Sequence, residues 1–230
     1  MRQLVLGVQL KERATFASFL TARNVELVAH LRHLAAATPA GSTWIAGPHT
    51  AGKSHLLQAV CADLAPGKRA AYLPLESLLP FGPGSLDGAD LLDIACYDDV
   101  QSIAGLADWE ERLFSLWQRA LERGGTLLFA ARENPAHVDF QLPDLKSRLA
   151  SSAVFALREL NGEEQLEALS LRAHLRGFEL PPETARYLQR RFPRDMRTLC
   201  EILDTLDDAA FAAQRRITVP FIRDVVDRKS

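Results

Sequence analysis

Cysteine is scarce in this chain and unpatterned: Cys61, Cys96 and Cys200 are the only three, they form no C-x-x-C pair, and each lies among apolar neighbours. That excludes a disulfide framework or a C-x-x-C metal or redox centre, and reads as buried, reduced thiols in a cytosolic protein. An excess of either charge is also missing, with 27 Lys+Arg against 29 Asp+Glu and a formal net charge of −2. A chain so balanced has no general field for wrapping nucleic acid, so contact with DNA is expected to be local or to come through another protein. No apolar run approaches the roughly 18 residues of a membrane span. The N-terminus has only Arg2 before a short apolar stretch broken by Gly7 and Gln9, and no small-residue cleavage site, unlike a secretory leader. Internal repeats and low-complexity stretches are absent. What remains is an ordinary globular composition, 47% hydrophobic and 24% charged over 230 residues, enough for one large domain or a core domain with a small appendage.

Strand-like and helix-like segments alternate, which reads as an α/β fold. Residues 24–37 have a helical pattern broken by Pro39-Ala40-Gly41, and 42–46 form a short apolar strand that runs into a glycine loop. A helix over 53–64 and a strand over 70–74 follow. Residues 91–97 read as a buried central strand, apolar except for Asp93, because parallel strands are covered on both faces and lose polar alternation. Residues 108–123 form an amphipathic helix with Trp109, Leu113, Leu116, Trp117 and Leu121 at 3–4 spacing, and both tryptophans read as core. Gly124-Gly125 closes it before a strand over 126–131. From about Asn161 the strands cease and helical patterns follow over 163–176, 182–191, 195–215 and 219–227, a second, all-helical domain.

The strongest chemical signal is Gly47-Pro48-His49-Thr50-Ala51-Gly52-Lys53-Ser54, a complete G-x-x-x-x-G-K-[ST] between a strand and a helix. In such a loop the glycines let backbone N–H groups turn in on phosphates, and the helix N-terminus adds its dipole. Lys53 is placed to reach the β- and γ-phosphates, and the Ser54 hydroxyl to ligate Mg²⁺. His49 reads as a solvent-facing spacer within the loop. A P-loop also needs an acid at the end of a neighbouring strand, and Asp98-Asp99 follows the third strand. Asp98 is the metal-side candidate and Asp99 the candidate to orient or deprotonate water; the competing reading is two surface acids capping the next turn.

These residues, with several other stretches, carry a resemblance to the DnaA/Hda family of AAA+ ATPases over nearly the whole chain. The matching stretches are Thr15-Phe16-Ala17-Ser18-Phe19 with Asn24, the P-loop, Asp98-Asp99-Val100-Gln101-Ser102-Ile103-Ala104-Gly105, and Leu142-Pro143-Asp144-Leu145-Lys146-Ser147-Arg148-Leu149. Leu175-Arg176-Gly177-Phe178-Glu179-Leu180-Pro181 and Arg194-Asp195-Met196-Arg197-Thr198-Leu199 look more like the regulatory than the initiator members. The resemblance implies an AAA+ P-loop core with a parallel sheet flanked by helices over 13–160, a small helical lid over 161–230, and an N-terminal partner-binding segment over 1–12. It places Phe16, Phe19 and Asn24 at the adenine and ribose side and makes Arg148 an arginine finger. Arg194 becomes the lid's nucleotide sensor, with Arg197 one turn on as the alternative.

Where the family carries a polar Asn or Asp after the fourth strand, this chain has Arg132, followed by Glu133 and Asn134. Its own ATPase is therefore expected to be weak or absent, while a finger lent to a neighbour's ATP needs no intact hydrolytic site at home. The initiator continues into a helix-turn-helix domain beyond its lid; this sequence ends at Ser230, and no sequence-specific DNA binding of that kind is expected. Gln3-Leu4-Val5-Leu6 resembles the Q-L-x-L peptide that docks on the bacterial sliding clamp. Leu4 and Leu6 would enter an apolar groove and the Gln3 amide would satisfy its rim.

The implied function is regulatory: held by the DNA polymerase III beta clamp, the chain promotes hydrolysis of DnaA-bound ATP and prevents re-initiation of replication. Implied with it are an adenine nucleotide, ADP favoured over ATP, with Mg²⁺; DnaA and the clamp as partners; no membrane; a homo-oligomer as an allowed assembly; and a cytoplasmic location, at the nucleoid through the clamp. The alternatives are an autonomous P-loop ATPase or kinase, a helicase-loader-like DNA-dependent ATPase, and a nucleotide-bound scaffold without a catalytic role.

Overall fold

The computed structural model describes residues 14–193, 195–213 and 217–227. The chain divides between Glu159 and Leu160 into two compact units. In the first the elements run α1 (Val25–Ala37), β1 (Gly41–Ala46), α2 (Lys53–Ala62), β2 (Ala70–Pro74), α3 (Leu75–Leu78), β3 (Ile94–Asp98), α4 (Ala107–Glu122), β4 (Thr126–Ala131), α5 (Pro143–Ala150) and β5 (Ala153–Ala156). Short 3-10 turns fill Leu79–Phe81, Pro83–Leu86, Ala89–Leu91 and Val100–Ile103.

Among the described residues five strands form one sheet in the order β2-β3-β4-β1-β5, and every neighbouring pair is parallel. Parallel strands need a crossover that returns the chain to the same end of the sheet, so helices cover both faces. The strands sort their side chains accordingly. Trp44, Tyr97, Leu127 and Phe129 enter one core with Leu113 and Leu116 of α4 and Leu145 and Leu149 of α5. Ile45, Ile94, Cys96 and Leu128 enter the other, with Leu31 of α1 and Leu56 and Val60 of α2. The period of two between the two sets explains why the strands carry so little polar alternation. The registers Ala46↔Ala131 and Ala46↔Ala156 bring the ends of β1, β4 and β5 level, so the loops that follow them share the carboxyl edge of the sheet.

Three elements escape the sequence pattern, the single-turn α3, α5 and β5. β5 is a four-residue edge strand whose Ala153, Val154 and Ala156 are exposed, too short and too open to show a strand period. The strand expected from residue 91 begins only at Ile94. Ala89–Leu91 coils into a 3-10 turn, and Asp93 is drawn aside by Lys68 (3.0 Å) and the Arg69 N–H (2.9 Å).

The second unit comprises α6 (Gly162–Leu175), α7 (Pro182–Arg191), α8 (Met196–Ala213) and α9 (Val219–Asp227). Leu169, Leu188, Leu199, Leu203, Phe221 and Ile222 form its core. Asn161 opens α6 with a capping box: its side-chain oxygen accepts the Glu163 and Glu164 N–H groups at 3.0 Å, while Glu164 accepts the Asn161 N–H at 2.7 Å. Among the described residues no helix is long and apolar enough to cross a membrane.

Phe129 lies fully buried at the centre of the sheet, stacked on Tyr97 with centroids 5.4 Å apart. Phe129→Ala is expected to cost about 3–5 kcal/mol in urea unfolding of the first unit, through lost transfer energy and a cavity. A cost no larger than that of a surface change, about 0.5 kcal/mol, would show that the two cores are not packed around this ring.

Candidate functional site

The carboxyl edge of the sheet gathers most of the residues singled out above. Gly47 leaves β1 by giving its N–H to Ala131 O of β4 at 3.1 Å, while Leu157 N–H, just past β5, closes on Ala46 O at 2.7 Å. A Cβ on Gly47 would stand 2.8 Å from Leu157 O, so only glycine fits there. Gly52, at φ +102°, is left-handed, and a Cβ on it would meet Phe19 Cε2 at 2.9 Å. Between the glycines Pro48 and His49 are exposed, whereas Thr50 and Ala51 are half-buried.

Lys53 begins α2 yet is 3% exposed. Its Nζ donates to Gly47 O (2.8 Å) and Pro48 O (2.7 Å), so the ammonium sits inside the curl of the loop. Burial pulls its pKa down, Asp98 and Asp99 oppose that pull, and the Arg132 cation adds to it. A buried cation whose direct hydrogen bonds go only to carbonyls suits an anion beside it, because opposite charge is what offsets its desolvation.

Asp98 ends β3 at 1% exposure. Its carboxylate accepts the Tyr72 hydroxyl at 2.8 Å, across the β2–β3 pair, and the Asp99 N–H at 3.0 Å. Burial raises its pKa above the ordinary carboxylate value, and hydrogen bonds from Ser54 and Tyr72 work in the opposite direction. Ser54 and Asp98 are thus adjacent, a hydroxyl and a single carboxylate of the kind Mg²⁺ takes while keeping its waters. Asp99 is left-handed at φ +51° and half-buried, and accepts from Gln101 Nε2 at 3.1 Å. Gln101 Oε1 in turn accepts the Arg132 N–H at 3.3 Å, so one side chain joins the acid loop to the turn after β4. Arg132 itself is exposed.

The residues expected on the base side separate. Phe19 leans on Gly52 and lies 5.6 Å from the His55 ring, whereas Phe16 is buried under the Arg32 guanidinium, 5.4 Å from its centroid, within the α1–α2 core. The Asn24 amide is committed to the backbone of Arg158, donating to its carbonyl at 3.0 Å and accepting its N–H at 2.9 Å. It pins the segment after β5 rather than offering its amide to a ligand. Arg148 is exposed on α5, its guanidinium 5.4 Å above the Trp117 ring of α4. α5 packs with α4 on one face of the sheet and α2 lies on the other, so Arg148 is not gathered with the P-loop. Arg197 pairs with Glu201 at 3.0 Å within α8. Arg194 and the N-terminal Gln3, Leu4 and Leu6 lie outside the described residues.

Sequence reasoning missed four contributors. Tyr72 holds Asp98. Gln101 bridges Asp99 and Arg132, though it stood inside a quoted stretch. His55 anchors the segment before α1, with Nε2 2.9 Å from Thr15 O. Glu159 accepts the Thr50 hydroxyl at 3.3 Å, and its carbonyl accepts from Arg23 at 2.7 Å. Of these, His55 alone had a positional signal, directly following the G-K-S.

The sheet order, the P-loop after β1, the acid ending β3 two strands away, and the separate helical unit are the layout of an AAA+ P-loop fold. Residues 162–226 match the family model of the Hda lid domain. Domain III of the replication initiation protein DnaA from Thermotoga maritima is similar at TM-score 0.77 and 18% identity, over 94% of this chain and 97% of that one. AMPPCP-bound DnaA from Aquifex aeolicus is similar at 0.67 and 19%, over 85% and 65%. A RuvB variant from Thermotoga maritima reaches 0.62 and 15%, over 90% and 67%. At such identities the solved structures speak for the fold. Together these likenesses give the chain the fold of DnaA domain III, with a second unit similar to the Hda lid domain.

Tyr72→Phe removes one donor to the Asp98 carboxylate and so raises its pKa further. A magnesium ion there needs Asp98 ionised, and binding is lost as pH falls through that pKa. The pH midpoint of Mg²⁺-dependent nucleotide affinity should therefore move upward by about one unit, a charged hydrogen bond being worth about 1.5–3 kcal/mol at most. Calorimetric titration with Mg·ADP between pH 4 and 8 checks this; an unmoved midpoint would detach Tyr72 from the metal-side acid.

Proposed function

We propose that the chain is a regulator of DnaA: held by the DNA-loaded sliding clamp, it binds adenine nucleotide at its own P-loop and supplies Arg148 to the ATP of DnaA, promoting its hydrolysis. The single observation that carries this reading is the position of Arg148. It stands exposed at the end of the core unit, on the opposite face of the sheet from its own P-loop helix, which supports a role toward a neighbour rather than at home. The lid match and the fold shared with DnaA support the choice of neighbour, since proteins of one architecture assemble through corresponding edges.

In this reading the loop amides and Lys53 hold the β-phosphate end of ADP, and Ser54 and Asp98 hold Mg²⁺, which screens the phosphate charge. Phe19 closes over Gly52 on the base side. The ADP preference follows from Arg132, an exposed cation where hydrolysis calls for an amide that aligns water. The protein's role is then structural at home and electrostatic in trans: a guanidinium brought to a γ-phosphate stabilises the charge that develops as water attacks, worth about 10³–10⁵ in rate. The buried Asp98 beside Asp99 favours one alternative, an autonomous ATPase, and ATP turnover by the isolated chain would establish it.

Lys53→Ala should weaken ADP binding at least tenfold in calorimetry, and unchanged affinity would overturn the nucleotide site. Arg148→Ala should fold and keep nucleotide and clamp, yet lose at least two orders of magnitude in stimulation of single-turnover hydrolysis of DnaA-bound ATP with clamp-loaded DNA. Arg132→Ala should leave that stimulation largely intact. Full stimulation by Arg148→Ala would replace the regulator by a scaffold. For the clamp, Gln3→Ala with Leu4→Ala should abolish retention in a pull-down, a peptide of this size binding at about micromolar strength; retention at the unsubstituted level removes the clamp from the scheme.

A further inference from the structure

Helix α5, which carries Arg148, lacks a cap of its own. Its N-cap residue is Leu142, whose side chain cannot accept a hydrogen bond, and Pro143 follows. Glu110 of α4 instead fixes the chain at the entry to the helix. Glu110 Oε2 accepts the N–H groups of Leu142 (2.7 Å) and Gln141 (2.9 Å), and Oε1 accepts Gln141 again (3.1 Å) and Gly105 (2.7 Å). This carboxylate is fully buried, and among the described residues no cation pairs with it. A buried carboxylate satisfied only by main-chain amides is costly to keep unless its geometry matters, and here it joins three segments.

The second contact lies seven residues on. Trp117 falls on the same face of α4 as Glu110, about 10 Å along the axis, and Arg148 stands about 9 Å along α5 from Leu142. The two helices therefore meet at matching spacings: carboxylate to helix start, indole face to guanidinium. Leu113 and Leu116 pack with Leu145 and Leu149 in the core they share. The indole N–H is buried without a partner, so the ring holds α5 through its face, where a cation is attracted by the π electrons. The Gly105 end leads back to the nucleotide site. Gly105 closes the segment that begins at Asp98-Asp99, and Ser102 N–H to Asp99 O (2.9 Å) and the Gln101–Asp99 bond tie that segment together.

We propose that Glu110 and Trp117 are positioning residues that mount the finger helix at two points, and that the Glu110–Gly105 bond couples the acid loop of the chain's own nucleotide site to the finger it lends in trans. This rests on the reading of Arg148 as that finger. The state of Asp98 and Asp99 reaches Arg148 through Gly105, Glu110 and the first turn of α5, and changes in nucleotide at home alter the finger without touching it.

The test uses the full chain with clamp-loaded DNA and ATP-bound DnaA. Glu110→Gln keeps the volume but turns an NH₂ group toward main-chain donors. It should keep ADP affinity, lower the maximal rate of stimulated hydrolysis at least tenfold, and leave the half-saturating concentration of the chain within twofold. Amide exchange at Gly105, Gln141 and Leu142 should accelerate while that of Leu128 and Phe129 stays slow. Trp117→Leu and Trp117→Phe separate packing from ring chemistry, since both keep an apolar side chain at the contact with a similar loss of volume and only the second offers a π face; the first should lose at least tenfold and the second stay within threefold. Should Glu110→Gln fail to fold, the tryptophan pair decides. Full stimulation by Glu110→Gln or Trp117→Leu, while Arg148→Ala is inactive, overturns the mount and leaves the regulator standing. Absence of stimulation by the unsubstituted chain overturns the regulator and with it the mount's action in trans.

Discussion

A buried ammonium and a buried carboxylate at one edge of a parallel sheet set the terms for the rest of the first unit. Lys53 gives its protons to the loop carbonyls of Gly47 and Pro48, and Asp98 takes its hydrogen bonds from Tyr72 and Asp99. Withdrawing either charge from water costs free energy that only fixed partners offset. The fixing comes from the sheet. β1 must lie between β4 and β5 for Gly47 to pass under Leu157, and β2 must lie beside β3 for Tyr72 to reach Asp98. Strand order, two small glycine contacts and two charges form one constraint.

The same sheet separates two tasks by its faces. The period of two sends alternate side chains into two cores, one packed by α1 and α2 and the other by α4 and α5. The P-loop helix α2 belongs to the first and α5, which carries Arg148, to the second. A rigid sheet between them keeps Arg148 from folding back on its own P-loop. Any contact between the P-loop side and α5 must therefore run along the carboxyl-edge loops. Gln101 and Glu110 are among the side chains that tie those loops together, Gln101 from Asp99 to the turn after β4, Glu110 from Gly105 to the start of α5.

Arg132 divides the labour further. It follows β4, the strand between the P-loop strand and the acid strand, and its charge bears on Lys53. A second cation there favours holding phosphate over aligning a water molecule, a job for a neutral amide.

What the amino-acid order determined by itself was local. The G-x-x-x-x-G-K-S loop, the apolar strands over 70–74 and 126–131, and the helices of the second unit follow from spacing, glycine placement and capping, all read within a few residues; the resemblance likewise rested on short stretches in order. What only the tertiary structure decided was which groups meet across long separations. Asn24 looked like a ligand residue and is spent on Arg158, 134 positions away, because an amide can pair with any exposed main-chain edge brought beside it. Trp117 read correctly as an apolar helix position, yet its face serves Arg148. Glu110 carried no signal at all, a common residue on an amphipathic helix, because the amides it takes at Gln141 and Leu142 lie at the entry to a helix that begins more than thirty residues on. Periodicity reports which side of an element is buried. It is silent on what lies opposite, since that depends on strand order and register, which are settled by the whole core at once.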